Sequence, residues 1–291
     1  MSNAQSARVS AASGIIVKPM TNALGAEVLN IDLTSELDHD AVKVLKELFL
    51  QYKVLFFRDQ DLTPEQHIAF AMHFGDEVQK PGFVPLLDGY PQIRRQEMNE
   101  YSAVSSDINW HTDDTFLEIP SKCSVLHALD VPIGKGDTVW VNMAAAYEGL
   151  SKPMQDFLLG LTAIHDQVET MGPGVLKQYG PDRWQKFRES TPSVEHPIIR
   201  THPETKEKCL LVNPLMTFRI KGLSDLESKT LLNMLYEHMT KEEYMVRFRW
   251  EKHSVAFWDN RCTAHKGIFD FGDEHRLMHR VAIQGETKPK R

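Results

Sequence analysis

The sequence predicts one mainly β domain with flanking α-helices, arranged as a jelly-roll. Short apolar segments bounded by Gly, Pro and polar residues recur along the chain, as expected for strands. Few of them are separated by helices, which favours a jelly-roll over a doubly wound sheet. The 291 residues are enough for one large core. Residues 1–14, rich in Ser and Ala, are predicted to be disordered, which leaves a domain of residues 15–288.

The N-terminal third contains two strand signals and two helix signals. Residues 15–17 and 26–31 are predicted to be strands. From Asp40, apolar side chains recur at helical spacing, and this helix runs into an apolar strand at 54–57. Residues 63–66 form a capping box with proline at the first helical position, so a second helix is predicted to begin there and to end before Gly75.

Two irregular segments are predicted to be lid loops. Residues 76–109 contain repeated Pro and Gly and lead directly into the most informative motif of the chain. Residues 166–192 have the same composition. Long irregular segments beside a site are candidates for loops that close over it.

The remaining elements are predicted from apolar alternation and helix caps. Strands are expected at 124–129, 137–141, 245–250 and 254–258, and one more ends at Val212. Residues 143–161 are predicted to be helical, and the capping box at 224–227 begins a helix that reaches about His238. A final strand runs to Ile283.

The motif Trp-His-Thr-Asp-Asp at 110–114 predicts metal ligands. In a strand, His111 and Asp113 would point to the same face, while Asp114 would face away. His265 follows an apolar strand-like run far along the chain. Two His and one carboxylate form the ligand set of non-haem Fe(II) oxygenases, which leaves three positions on the metal for substrates. A His-x-Asp pair alone is a weak indicator in a chain with 13 His.

The last strand carries two arginines on one face. Arg276 and Arg280 alternate with Leu277 and His279, so they would lie about 13 Å apart in Cα position. Burial of two like charges costs several kcal/mol per ion unless anions compensate. The spacing therefore predicts two anion sites inside the domain.

Four longer motifs resemble one known family. They are WHTDDTF at 110–116, GDTVWVNMAAAYEGLS at 136–151, HPIIRTHPETKEKCLLVN at 196–213, and WDNRCTAH with RLMHR within 258–280. They resemble the taurine and 2,4-dichlorophenoxyacetate type of Fe(II)/2-oxoglutarate-dependent dioxygenases, in order and spacing, from about Ile16 to Lys288. The resemblance implies a cupin-like double-stranded β-helix core and a homo-oligomer, either a dimer or a tetramer.

The resemblance also implies roles for named residues. His111, Asp113 and His265 would bind Fe(II), and Thr138 and Arg276 would bind the far carboxylate of 2-oxoglutarate. With O2, the reaction would release succinate and CO2 and hydroxylate a small anion: a sulfonate such as taurine, an alkyl sulfate, or an aryloxyalkanoate or other carboxylate. Arg280 would bind the anionic head of that substrate, or the iron-bound carboxylate of 2-oxoglutarate, or an acidic side chain such as Asp107 or Asp114.

Four further positions would contact the substrate. Lys80, Phe83, Asp107 and Met216 stand where the taurine enzymes have His, Tyr, Asn and Phe. These differences put taurine itself in doubt while keeping an anion-binding pocket.

Composition excludes several classes of protein. A net charge of -7 without a long Lys/Arg run argues against nucleic-acid binding. Three Cys without a Cys-x-x-Cys spacing predict neither disulfides nor a thiolate zinc site. No signal peptide and no apolar run of ~18 residues is present, so a cytoplasmic protein without a membrane span is expected.

Three alternatives to the dioxygenase are considered. A non-catalytic metal-binding or ligand-binding sensor could use the same barrel, since fold does not settle function. A zinc hydrolase would be indifferent to 2-oxoglutarate. A related halogenase is disfavoured because its chemistry requires a small residue in place of Asp113.

Overall fold

The structure is a computed structural model, and it describes residues 8–9, 14–80, 84–98, 109–169, 172, 176–177 and 180–291. The strands are β1 (Arg8–Val9), β2 (Ile16–Pro19), β3 (Ala26–Leu29), β4 (Val54–Phe57), β5 (Leu86–Leu87), β6 (Tyr90–Met98), β7 (Cys123–Asp130), β8 (Thr138–Asn142), β9 (Thr162–His165), β10 (Val194–Pro197), β11 (Ile199–Thr201), β12 (Lys208–Leu210), β13 (Thr217–Ile220), β14 (Met245–Phe248), β15 (Val255–Asp259), β16 (Thr263–Gly267) and β17 (Arg276–Ile283). The helices are α1 (His39–Tyr52), α2 (Pro64–Met72), α3 (Met143–Glu148), α4 (Lys152–Leu159), α5 (Pro181–Ser190) and α6 (Asp225–Met239), with a 3-10 turn at Glu242–Tyr244.

The strands form one large sheet and three small ones. The large sheet has the order β1-β2-β3-β4-β15-β7-β17-β6-β5, and a second sheet has the order β14-β8-β16. The two remaining sheets are β10-β9-β13 and β11-β12. Neighbouring strands far apart in sequence, such as β4 with β15 and β7 with β17, close the fold through long-range pairing. The structure is therefore mainly β with helices, as predicted.

Aromatic side chains pack between the large sheet and the β14-β8-β16 sheet. Phe56 of β4 stacks on Phe248 of β14 with 4.1 Å between ring centroids, and Trp140 of β8 lies 5.7 Å from Trp258 of β15. All four are fully buried or nearly so. Aromatic pairs of this geometry add to the free energy gained by burying apolar area. This packing fixes the distance between the two sheets that carry the candidate site.

Helices α1 and α2 cover the opposite face of the large sheet. Phe49 of α1 stacks on Phe257 of β15 at 4.2 Å, and Phe70 and Phe74 pack around the same ring. The predicted capping box at Thr63 is present, and so is that at Ser224, where α6 begins. Helices α2 and α6 therefore begin where the sequence predicts.

Several predicted elements differ from the structure. Residues 76–109, predicted to be irregular, include β5 and the nine-residue β6, which pairs with β17. Residues 166–192 include helix α5, and the helix predicted at 143–161 is two helices, α3 and α4. In the segment predicted to be disordered, Arg8–Val9 pairs with β2, and the other residues before Gly14 lie outside the described ranges.

In the described part of the chain, no helix combines the length and the apolar character needed to cross a bilayer.

Candidate active site

His111 and His265 face each other across an antiparallel bridge. The backbone N–H of His111 donates to the carbonyl of His265 at 2.9 Å, and the reverse hydrogen bond is 2.7 Å. The two rings lie 4.2 Å apart. Outside this bridge, His111 is not part of a named strand, and residues 113–116 form a turn. The prediction that a strand aligns His111 with Asp113 is wrong in this detail, because a turn brings the carboxylate beside the rings.

The three predicted ligands form one buried cluster. Oδ1 of Asp113 lies 3.7 Å from Nε2 of His111 and 4.0 Å from Nε2 of His265. All three donor atoms lie within 4.8 Å of one another, and none of the side chains is more than 9% exposed. Two imidazoles and one carboxylate, with no sulfur, suit Fe(II). The residues present therefore fit a non-haem iron centre.

Hydrogen bonds orient the donor atoms of this cluster. Nδ1 of His111 hydrogen-bonds the carbonyl of Asn109 at 2.8 Å. Because the carbonyl can only accept, this bond fixes the tautomer that leaves the Nε2 lone pair for a metal. Ser124 donates to Oδ2 of Asp113 at 2.8 Å, and Asn260 donates to Ser124 at 3.0 Å. One carboxylate oxygen is thus anchored, and Oδ1 faces the histidines.

Neighbouring positive charges keep the Asp113 carboxylate ionised. Burial alone would raise the pKa of this carboxyl, but Arg280, followed by His265 and His111, lowers the pKa well below its ordinary range. An ionised carboxylate is the form that binds metal.

A second group of donor atoms, His202, Asp259 and Cys262, also lies within 4.8 Å. Its hydrogen bonds argue against a metal site. Nδ1 of His202 accepts from the backbone N–H groups of Glu204 and Thr205, so Nε2 carries the proton and donates to Asp259. Arg261 binds both oxygens of Asp259, and burial raises the pKa of the Cys262 thiol. Asp259 is already bound by Arg261 and His202, and Cys262 is held as a neutral thiol.

The His-Asp-His cluster opens into a pocket of about 440 Å³, counting the space at its mouth. The described residues that line it are Gln96, Met98, His111, Leu126, Thr138, Trp140, Trp258, His265, Gly267, Phe269, Arg276 and Arg280. A mostly apolar wall with a few polar groups is typical of a site that orients a small ligand.

Thr138 and Arg276 both line this pocket and are buried. Nε1 of Trp250 donates to Oγ1 of Thr138 at 2.9 Å. Because the indole can only donate, the Thr138 hydroxyl must direct its own hydrogen elsewhere. A fixed hydroxyl donor and a guanidinium in one pocket suit a carboxylate ligand.

Arg280 lies in the same pocket, next to the metal cluster. Its Nη1 donates to Oδ1 of Asp113. The sequence analysis considered Asp107 and Asp114 as acidic partners of Arg280, whereas the partner in the structure is Asp113. Asp114 is absent from the donor cluster, and its carboxylate interacts electrostatically with Arg280 and Arg94.

Two of the four candidate substrate residues, Lys80 and Met216, belong to the described part of the chain. Lys80 is exposed, and Met216 is buried, but neither is among the described residues that line the pocket. Phe83 and Asp107 lie outside the described residues.

Sequence reasoning missed the supporting residues Ser124, Asn260, Trp250 and Gln96. Asn260 lies inside the Trp-Asp-Asn-Arg motif, so its motif position could have drawn attention to it. Gln96 belongs to β6, which was not predicted, and Trp250 contacts Thr138 across 112 residues of sequence. A contact between residues so far apart in the chain leaves no signal in a local sequence pattern.

The family profile and the most similar known proteins all indicate one family. The profile described as taurine catabolism dioxygenase TauD, TfdA family matches residues 16–282. The chain is 36% identical to an alkylsulfatase of Acinetobacter baylyi, over 93% of this chain and 85% of the relative. It is 35% identical to an alpha-ketoglutarate-dependent sulfate ester dioxygenase of Pseudomonas putida, over 99% and 95%. A 2,4-dichlorophenoxyacetate dioxygenase of Cupriavidus pinatubonensis is 30% identical, over 87% and 92%.

Solved structures agree with these sequence matches. A taurine dioxygenase from Burkholderia xenovorans superimposes with a TM-score of 0.79 at 37% identity, over 94% of this chain and 92% of that one. A structure of AAD-2 in complex with Mn(II) and N-oxalylglycine gives a TM-score of 0.81 at 26% identity, over 95% and 99%.

Proposed function

Because the chain belongs to the taurine catabolism dioxygenase TauD, TfdA family, we propose that it hydroxylates a small organic anion at an iron centre held by His111, Asp113 and His265. It is a 2-oxoglutarate-dependent dioxygenase, and Fe(II), 2-oxoglutarate and O2 are its cofactors. The observation that carries the site assignment is the buried His-Asp-His cluster beside two pocket arginines, Arg276 and Arg280.

The proposed architecture is the cupin-like double-stranded β-helix. The large sheet and the β14-β8-β16 sheet pack face to face, and His111 extends the second sheet through its bridge to β16. The metal ligands lie on that second sheet and the turn that follows the bridge, while both pocket arginines lie on β17 of the large sheet. The site would thus lie between the two sheets.

Fe(II) with 2-oxoglutarate supplies the oxidising chemistry when bound, with release of succinate and CO2. In our proposal, Thr138 and Arg276 bind the far carboxylate of 2-oxoglutarate. The Thr138 hydroxyl donates one hydrogen bond, and the planar guanidinium group of Arg276 donates two parallel ones. His111 and Asp113 keep their donor atoms aimed at the metal through Asn109 and Ser124. Burial by Trp140 and Trp258 limits access of water to the reacting atoms.

The substrate is proposed to carry an anionic head that Arg280 binds. Relatives are named for sulfate esters, sulfonates and 2,4-dichlorophenoxyacetate, all of which are anions. A guanidinium in a largely apolar pocket favours such a ligand over a neutral one. Roles for Lys80, Phe83, Asp107 and Met216 in substrate contact stay predictions.

Three further features complete the proposal. The segments 76–109 and 166–192 would supply loops that close over the site. The protein would form a homo-oligomer, a dimer or a tetramer, in the cytoplasm, without a nucleic-acid or membrane partner. Size-exclusion chromatography with light scattering tests the oligomer.

A substrate panel tests the reaction. Succinate release is measured with sulfonates, alkyl sulfates, aryloxyacetates and simple carboxylates, each with and without Fe(II), ascorbate and 2-oxoglutarate. We expect at least one anion to stimulate succinate formation strictly with all three additions. A protein that binds these anions but never forms succinate would be a sensor, and hydrolysis independent of 2-oxoglutarate would indicate a zinc enzyme.

A further inference from the structure

The side chain of Asn260 is the centre of a buried hydrogen-bond network next to the metal cluster. Asn260 follows β15 directly and is 1% exposed. Its Oδ1 accepts from Nε1 of Trp258 at 2.9 Å, and its Nδ2 donates to Ser121 and to Ser124, each at 3.0 Å. The amide therefore uses its oxygen and both of its N–H groups inside the protein.

The contact with Trp258 fixes which end of the Asn260 amide faces the serines. An indole N–H can only donate a hydrogen bond, so the amide atom that it contacts is the oxygen. The NH2 group must then point toward Ser121 and Ser124. The orientation of the amide thus follows from the chemistry of its partners.

The amide in turn sets the direction of the Ser124 hydroxyl. An NH2 group can only donate, so the Ser124 oxygen accepts from Asn260 and keeps its single hydrogen for another partner. That partner is Oδ2 of Asp113, 2.8 Å away, which as a carboxylate oxygen can only accept. The same rule applies to Ser121, whose side chain hydrogen-bonds the Asp114 carboxylate. One amide therefore directs two hydroxyl groups at two adjacent carboxylates.

The turn that carries Asp113 needs contacts of this kind. The next residue, Asp114, has a backbone φ of 58°, in the left-handed region that residues other than glycine rarely adopt. Such a conformation costs free energy and persists where the surrounding structure holds it. Ser124 lies in β7, and Ser121 shortly precedes that strand. The network around Asn260 thus connects the turn to the large sheet.

We infer that Asn260 is a positioning residue for the metal centre, because it directs the Ser124 hydroxyl at Oδ2 and so keeps Oδ1 of Asp113 turned toward the two histidines. The inference rests on the proposed function, in which Asp113 is a metal ligand. Oδ1 lies 3.7 Å from Nε2 of His111 and 4.0 Å from Nε2 of His265. Without the Ser124 hydrogen, Oδ2 would lose its donor, and the carboxylate could rotate away from the rings. Asn260 acts through Ser124 and not by contact with the metal.

Metal binding without turnover tests the inference. Mn(II), which imidazole and carboxylate ligands bind as they bind Fe(II), is titrated into the full chain without 2-oxoglutarate, and free Mn(II) is followed by electron paramagnetic resonance. Asn260→Leu keeps a branched side chain but donates no hydrogen bond. We expect it to weaken Mn(II) binding roughly ten- to hundredfold, as is usual when a residue that orients a metal ligand is replaced. Ser124→Ala should weaken Mn(II) binding by a similar factor.

The double variant Asn260→Leu/Ser124→Ala distinguishes a positioning role from a structural one. If Asn260 acts through Ser124, the double variant should bind Mn(II) no more weakly than Ser124→Ala alone. Losses that add would overturn the inference. Wild-type affinity in Asn260→Leu, with or without a lower melting temperature, would also overturn it. If Asn260→Leu does not fold, Asn260→Ala decides by the same two criteria.

The control for the loss of a buried amide donor is Asn142→Asp. Nδ2 of Asn142 donates to the carbonyl of Ala23 at 2.7 Å, and its Oδ1 caps helix α3. Aspartate keeps the cap but loses the donor. Asn142→Asp should therefore leave Mn(II) affinity unchanged, whereas a loss equal to that of Asn260→Leu would show that the effect is not specific to the network.

Asp113→Ala separates this inference from the proposed function. If Asp113→Ala loses Mn(II) binding while Asn260→Leu binds like wild type, the metal centre stands and the positioning role of Asn260 is wrong. If Asp113→Ala binds Mn(II) like wild type, the proposed iron centre fails, and the inference fails with it.

Discussion

Arg280 donates a hydrogen bond to Oδ1 of Asp113, the oxygen that lies 3.7 Å from Nε2 of His111. The proposed substrate residue and the proposed metal ligand are therefore in direct contact. Because Oδ2 is bound by Ser124, Oδ1 is the oxygen that faces both Arg280 and the histidines. A metal bound to Oδ1 would neutralise part of the carboxylate charge that Arg280 faces, so Arg280 should then attract an external anion more strongly.

This shared carboxylate predicts that metal and anionic substrate bind cooperatively. We expect hexyl sulfate to bind roughly five- to 150-fold more tightly to metal-loaded protein than to metal-free protein, the usual range of coupling between two sites. Calorimetry with and without Zn(II) or Fe(II) measures the ratio. Arg280→Gln should remove the difference. Equal affinities in the two forms of the wild-type protein would argue against this coupling.

Arg276→Lys should weaken 2-oxoglutarate binding selectively. Lysine keeps the charge but cannot present a planar fork, so we expect a loss of about 1.5–3 kcal/mol in binding free energy. The apparent KM for 2-oxoglutarate and its anaerobic Kd report the change. Arg219→Lys, at a partly exposed position on β13, is the control. An unchanged KM in Arg276→Lys would assign the co-substrate to another anchor.

Acid should destabilise the protein through two buried histidines. Burial lowers the pKa of His67 to about 3 and that of His127 to about 4, with further lowering from neighbouring histidines. The unfolded chain has His pKa values of about 6.5, so it binds more protons than the folded state below that pH. Stability should therefore fall as pH drops from about 6.5 toward 4, by up to roughly 1.4 kcal/mol per pH unit for each histidine.

Denaturant unfolding at several pH values measures this slope. His67→Gln keeps a donor for the carbonyl of Val125, which His67 bonds at 3.1 Å, but cannot titrate. Its stability should depend less steeply on pH than that of the wild type. The same slope in both proteins would show that His67 does not contribute to acid unfolding.

The sequence predicted the residues of the buried His-Asp-His cluster and much of the fold. Helix caps at Thr63 and Ser224 are local signals, and the structure contains both. The family resemblance, the reaction class and the cofactor set are confirmed by the comparisons. His111, Asp113 and His265 meet because the motifs lie on neighbouring elements of one site, although the turn that carries Asp113 was predicted to be a strand.

Strand β6 was missed for a physical reason. Pro91 and the charged residues Arg94, Arg95 and Glu97 disguise the apolar alternation that identifies strands. The inward face of β6 is polar because it borders a ligand pocket, and functional sites are where local patterns conflict with the fold. Helix α5 was missed because it follows a Gly- and Pro-rich stretch and contains only two large apolar side chains, Trp184 and Phe187.

The identity of the metal ligands is the central claim. His265→Ala and Asp113→Ala each remove one donor from a buried cluster of three. A catalytic metal of this kind does not hold the fold together, so both variants should keep the wild-type secondary structure. His39→Ala, at the exposed start of α1, is the control for removing a histidine.

The decisive measurement is anaerobic titration of Fe(II) into wild type, His265→Ala, Asp113→Ala and His39→Ala in the presence of 2-oxoglutarate, followed by the charge-transfer absorption of the complex. Wild type and His39→Ala should develop this absorption with one Fe(II) per chain. His265→Ala and Asp113→Ala should lose it together with succinate formation, while their circular dichroism stays that of the wild type. Wild-type absorption and turnover in either ligand variant would contradict the assignment of the iron centre.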